Sequence, residues 1–140
     1  MSIQFVKVDI ANSHVLANVD GEIFDHDVDP ALLTDYLKDP NHFMCVARLD
    51  DLVIGQARAM IHRHPDQARE LYIDNVGVAP SHQRKGIATR LIEDLIHIGK
   101  EHGCHEIWLG TEPDNEPAKA LYRSLSMTME AMVMFHQKLT

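Results

Sequence analysis

This chain of 140 residues has two cysteines, one tryptophan and only 6% aromatic residues. Cys45 and Cys104 are too few for a disulfide framework and fit a reducing compartment, so a cytoplasmic location is expected. No stretch approaches about 18 uninterrupted apolar residues, so no membrane span is expected. Met1 to Lys7 lacks the apolar core of a signal peptide. Basic residues are scarce: 13 Lys and Arg face 21 Asp and Glu, for a net charge of −8. That balance argues against a nucleic-acid partner and favours a cationic or amine one. Repeats, low-complexity tracts and linkers are also missing, and the length suits one domain over 1–140.

What is present centres on Leu71 to Ile96. Leu71-Tyr72-Ile73-Asp74-Asn75-Val76-Gly77-Val78 is rich in β-branched and aromatic residues and reads as a strand. Pro80 ends it, because it cannot donate a ladder hydrogen bond. Ile87, Leu91, Leu95 and Ile98 then recur at helical spacing, with Ala88 and Ile92 beside them. The unit is strand, short loop, helix. A helix start offers unpaired N–H groups and a positive dipole end. Gly86 lets a bulky anion approach, and Arg84 and Lys85 add charge, which makes a phosphate-binding design. A P-loop would need G-x-x-x-x-G-K-[ST], and Gly86 is followed by Ile87. The G-x-G-x-x-G of a dinucleotide turn is absent too. The bland alternative is a basic first helical turn with a permissive glycine.

Around that unit the chain alternates. Ile3 to Val8 reads as a strand, and Asn12 to Phe24 as weakly helical. Asp29 can cap a helix from Pro30 to Lys38, with Leu32, Leu33, Tyr36 and Leu37 at core spacing. Phe43 to Leu49 and Leu52 to Ile61 form a hairpin across Asp50-Asp51. Gly103 closes the central helix as its C′ residue, and Glu106 to Leu109 is a short buried strand. Asn115 to Leu125 is a further helix, capped by Asp114 or Asn115. Met127 to Leu139 alternates loosely and reads as one long strand or a strand pair. The order β-α-α-β-β-β-α-β-α-β gives a mixed sheet covered by helices.

The hexapeptide Gln83-Arg84-Lys85-Gly86-Ile87-Ala88 resembles the [QR]-x-x-G-x-[GA] signature of the GNAT N-acetyltransferases. Asn115-x-x-Ala118-x-x-Leu121-Tyr122-x-x-Leu125 resembles that family's N-x-x-A-x-x-[LF]-Y-x-x-[LC]-G-[FM] helix, with Ser126 where glycine is usual. The resemblance spans nearly the whole chain. It implies an α/β (α+β) GNAT fold: a mixed, mostly antiparallel sheet of six to seven strands flanked by about four helices.

It also implies an acetyl-coenzyme A-dependent N-acetyltransferase in which a primary amine attacks the thioester directly. The coenzyme would be held at Gln83, Arg84, Lys85, Gly86, Ile87, Ala88 and Thr89. The backbone at Val76, Gly77 and Val78 would hold the pantetheine arm, with Asn115 and Ala118 on the later helix. Tyr122 would protonate the leaving thiolate, as a phenol of pKa about 10 suits a thiol of about 8.5. As a residue alone, Tyr122 reads first as an aromatic core position of an amphipathic helix, and the signature at Gln83 to Ala88 is what turns the reading to catalysis. Asp74, then Glu70, are the candidate bases, because Glu70, Tyr72 and Asp74 share strand parity. A non-catalytic acyl-coenzyme A-binding module is the rival reading.

Leu71 to Val76, His82 to Thr89, Glu116 to Tyr122 and Met129 to Phe135 are similar to aminoglycoside 3-N-acetyltransferases of the first type. An acidic chain suits such a polycationic acceptor. Relatives that pair through late strands, together with the apolar segment Met127 to Phe135, lead to an expected homodimer. No metal is expected, although there are ten histidines. The tight pairs His62-x-His64 and His102-x-x-His105 have no acidic or cysteine companion at a known ligand spacing. Cys104 reads as a small buried residue.

Overall fold

The computed structural model describes residues 2–140, which fall into two compact units, one ending at Gly110 and the other running from Thr111 to Thr140. In the first unit, β1 (Ile3–Lys7), β2 (His42–Leu49), β3 (Leu52–His62), β4 (Arg69–Val78) and β5 (Cys104–Trp108) form one five-stranded sheet in that order. The first four strands pair antiparallel, and β5 pairs parallel with β4. The helices are α1 (Pro30–Lys38) and α2 (Ile87–Glu101), with short 3₁₀ turns at Ser13–Ala17 and Pro80–His82.

Local chemistry explains most boundaries. Asp29 Oδ1 accepts from the Ala31 and Leu32 N–H groups at 2.8 and 3.1 Å, and Pro30 supplies no donor to satisfy. The hairpin closes across Asp50-Asp51, with Leu49 opposite Leu52 and Asp50 at φ 54°. Gly103, at φ 78°, ends α2 as expected. Between these limits α2 buries Ile87, Leu91, Ile92, Leu95 and Ile98, and packs on β2 to β5. Each such side chain contributes about 1.5–3 kcal/mol. Leu71 lies against Gly99 of α2, and Val46, Val53, Ile54, Ala57 and Leu71 are fully buried apolar residues of the sheet, each 0% exposed.

The structure departs from the expected elements in several places. The weakly helical stretch Asn12 to Phe24 keeps only the 3₁₀ turn at Ser13–Ala17. Residues beyond it follow the sheet instead: Asp20 donates its N–H to Val53 O, and Gln56 Nε2 donates to Ile23 O at 2.9 Å. Helix α1 buries no residue, and Leu32 is 71% exposed. Strand β5 starts at Cys104 and is not buried, because it is the edge of the sheet. Cys104 is correspondingly half-buried.

The second unit holds α3 (Glu116–Ser124) followed by residues 127–140 without strand or helix. The expected late strand or strand pair is therefore absent among the described residues. The sheet has five strands where six to seven were expected, and three α-helices stand where about four were.

Candidate active site

Strand β4 pairs with β3 on one side along its whole length. On the other side β5 pairs with Arg69, Glu70, Leu71 and Tyr72 and stops at Trp108. Ile73 to Val78 thus has no strand partner on that side among the described residues. The departure has a local cause. Arg58 lies opposite Asn75 and Ala59 opposite Ile73, so Asp74 is an extra residue, a β-bulge. A bulge increases twist and bends its strand, and β4 leaves β5 just before it. Val76, Gly77 and Val78 consequently present one row of backbone polar groups away from β3.

The chain then turns into the loop. Gln83 Nε2 donates to the Val78 carbonyl at 3.1 Å, tying the loop to the end of β4. The signature glutamine therefore anchors the loop, and it occupies one of the carbonyls expected to serve the pantetheine arm. Arg84 at φ 62° and Gly86 at φ 80° both take the left-handed conformation. Gly86 is the N-cap of α2 and provides no side-chain cap, and the first α-helical bond is Arg90 N–H to Gly86 O. The N–H groups of Ile87, Ala88 and Thr89 therefore point outward unpaired within the helix. A Cβ at position 86 would meet nothing within 4 Å, so the space over the glycine is open. Among the described residues neither Arg84 nor Lys85 is in an ion pair. Open N–H groups, a dipole end and two free cations fit a pyrophosphate.

Gly77 also has a steric role that the sequence did not announce. A Cβ there would collide with the Ile23 carbonyl, so glycine is required for the 20s segment to cross β4. The same crossing is held by Gln56, the one buried polar side chain among the described residues. Its Nε2 reaches Ile23 O at 2.9 Å and Asn75 Oδ1 at 2.6 Å. Sequence reading passed over Gln56. A lone glutamine inside an apolar strand, as in Val53-Ile54-Gly55-Gln56-Ala57, was the available signal.

The two candidate bases stay on one side of β4, with Leu71 and Ile73 buried on the other. Asp74 Oδ2 is 3.8 Å from an Arg58 guanidinium nitrogen. Glu70 Oε2 is 2.8 Å from His64 Nε2. Tyr72, between them in sequence, stacks on Trp108 with ring centroids 4.2 Å apart.

In the second unit Asn115 is the N-cap of α3. Its Oδ1 accepts from the Ala118 N–H at 3.1 Å, and its Nδ2 donates to Thr111 Oγ1 at 3.2 Å. That settles the capping alternative in favour of Asn115 over Asp114. Ala118 and Tyr122 follow at one-turn spacing and both are half-buried. Burial pushes the Tyr122 hydroxyl above its ordinary pKa, so it is held as a protonated donor. The helix ends in a Schellman motif: Met127 N–H bonds Tyr122 O, and Ser126 N–H bonds Arg123 O. Ser126 sits at φ 64°, the conformation for which glycine is usual in the family.

Residues 11–127 match the acetyltransferase (GNAT) family. Aminoglycoside N(6')-acetyltransferase type 1 of Salmonella typhimurium is 29% identical over 98 residues, covering 66% of this chain and 67% of that protein. Mycothiol acetyltransferase of Pseudarthrobacter chlorophenolicus is 34% identical over 93 residues, 64% of this chain and 28% of that protein. The solved aminoglycoside acetyltransferase from an uncultured soil metagenomic sample superposes with a TM-score of 0.85 at 26% identity, covering all of both chains. The aminoglycoside N-acetyltransferase AAC(6')-Iy in complex with coenzyme A has the same fold, with a TM-score of 0.79 at 22% identity over 99% of this chain and 96% of that one. The chain belongs to the GNAT acetyltransferase family and is an N-acetyltransferase that draws its acetyl group from acetyl-coenzyme A.

Proposed function

We infer that this enzyme acetylates a primary amine of a polycationic small molecule, with an aminoglycoside as the leading acceptor. The observation that carries the acetyl-donor side is the unpaired edge of β4 running into the uncapped start of α2 at Gly86. The acceptor side is supported by the acidic chain, net charge −8, and by the aminoglycoside acetyltransferases among its relatives. The Salmonella typhimurium relative is named for the 6′ amine. The sequence segments of this chain point to the 3-amine, so regiochemistry is open to direct measurement.

The reaction needs few parts. The acceptor nitrogen attacks the thioester carbonyl, and the carbon–sulfur bond breaks. The Tyr122 hydroxyl gives its proton to the departing thiolate. The proton lost by the nitrogen goes to a carboxylate, Asp74 before Glu70, directly or through water. Gln83 to Thr89 hold the pyrophosphate, the backbone of Val76 to Val78 holds the pantetheine arm, and Asn115 and Ala118 shape the helix that carries Tyr122. The whole chain, 1–140, acts as one domain, works in the cytoplasm and pairs as a homodimer. Support for pairing comes from Met129, Met132, Val133, Met134 and Phe135, which are 63–91% exposed. No helix among the described residues is long and apolar enough to cross a membrane.

The test is amine-dependent release of free coenzyme A across a panel of aminoglycosides, polyamines and amino-acid amines. Aminoglycosides should give the highest kcat/KM, and the product's NMR spectrum should place the acetyl group at the 3 or 6′ nitrogen. If another amine class is acetylated and aminoglycosides are not, the acceptor assignment fails while the family assignment stands.

A further inference from the structure

The β3–β4 hairpin gathers three metal-ligating side chains that the sequence scatters. His62 is the last residue of β3 and lies directly opposite Glu70 in the strand register. His64 stands two residues further on, in the connecting loop, and turns back toward the strands. Its Nε2 comes within 2.8 Å of Glu70 Oε2, and its ring centroid lies 4.1 Å from that of His62. One ligand atom from each of the three falls within 4.8 Å of the other two. We propose that His62, His64 and Glu70 bind a divalent transition-metal ion, with zinc the best-suited occupant.

The donor set fits that chemistry. Two imidazoles and one carboxylate suit zinc, at bond lengths of about 2.0–2.2 Å, with a fourth tetrahedral position left to water. Ligand atoms around such an ion stand about 3.3 Å apart by that geometry. Closing from 4.8 Å asks only for side-chain rotation at the mouth of a hairpin. His64 and Glu70 are 15% and 23% exposed, and His62 is exposed, so the ion has an entry path.

The neighbouring cations are occupied elsewhere. Arg63 Nε donates to Asn41 Oδ1 at 3.2 Å, and Arg69 Nη1 donates to the His102 carbonyl at 2.9 Å. A plain hydrogen bond between His64 and Glu70 accounts for one imidazole. It leaves the approach of the His62 ring unexplained. A metal role for Glu70 also leaves Asp74 as the carboxylate for proton removal.

Untagged full-length protein, stripped with chelator, should take up one zinc ion per chain in competition with a chromophoric chelator. Cobalt(II) in its place should give a visible absorption band from a site with nitrogen and oxygen ligands. His62→Ala, His64→Ala and Glu70→Gln should each weaken binding by at least the roughly 10- to 100-fold that loss of an outer partner costs a metal site. His105→Ala and His136→Ala, at exposed histidines elsewhere, should bind like wild type. His62 is exposed at a strand end, so His62→Ala keeps the fold, and its far-ultraviolet circular dichroism checks this. Absence of a saturable zinc site overturns the proposal. So does unchanged affinity in the His62→Ala/His64→Ala double variant.

Discussion

Leu71–Val78 and Met127–Leu139 lead to the same expectation: the first is an apolar run rich in β-branched and aromatic residues, the second alternates loosely, and both suggest strands. One becomes β4, paired along β3 and partly along β5, with Leu71 and Ile73 buried. The other stays without secondary structure, with Phe135 and Leu139 each 91% exposed. The difference teaches that a strand is a relation between segments. An apolar alternating stretch offers hydrogen bonds and a face, and either has value only when a second segment accepts it. The same contrast holds between the units. The first closes a core of sheet and α2, whereas the second consists of one capped helix and an uncovered tail.

In the proposed reaction β4, the loop and α2 of the first unit would hold the acetyl donor, and Tyr122 on the helix of the second unit would supply the proton. The largest effect should come from the second. Tyr122→Phe keeps the ring and removes the hydroxyl, so single-turnover acetylation should slow by about 10²- to 10⁴-fold, with coenzyme affinity little changed. Near wild-type single-turnover rates would mean that another group protonates the thiolate.

Next comes the loop itself. Gly86→Glu puts a negative side chain into the open space over the α2 N-terminus, at a backbone φ of 80° that disfavours it. Acetyl-coenzyme A affinity should fall by roughly 100-fold or more, about 2.7 kcal/mol. Calorimetry checks this, and equal affinities would place the pyrophosphate elsewhere.

Gly77→Ala probes the strand that found its partners. The added Cβ meets the Ile23 backbone, so the crossing must shift. A loss of about 1–3 kcal/mol in denaturant unfolding is expected, because backbone cannot swing aside as a side chain can. A neutral result would show that the 20s segment is free to move off β4.

The tail gives a smaller effect on stability. Val133→Asp with Phe135→Asp should leave the unfolding free energy within about 0.5 kcal/mol, as expected of exposed positions. In light scattering the same variant should lower the mass from dimer to monomer. A wild-type protein that is already monomeric would remove the homodimer.

The one stabilising change is at the end of α3. Ser126→Gly relieves a left-handed φ of 64° and should raise stability by about 1 kcal/mol at most, seen as a small rise in Tm. A fall in Tm would indicate that the serine makes a compensating contact.

Much of the strand–loop–helix unit was legible because its determinants are close in the sequence. A glycine at Gly86, a helical period from Ile87 to Ile98 and a proline at Pro80 fix a strand–loop–helix unit within thirty residues or so. Asp29 announced its cap, the pair Asp114-Asn115 the start of α3, and Gly103 a helix end, for the same reason. Leu32 misled, since its helical spacing predicts a face and not whether that face is covered. Gln56 was overlooked because its partners, Ile23 and Asn75, lie 33 and 19 residues away.

The amino-acid sequence by itself determined the family signature and the glycine-led start of α2, because each is a property of neighbouring residues, and it determined the acidic balance by composition alone. Only the tertiary structure decided three other matters: the bulge at Asp74 where β4 parts from β5, the meeting of His62, His64 and Glu70, and the crossing of Ile23 over Gly77. Each depends on strand register, and register is set by which distant segments bury their apolar faces together.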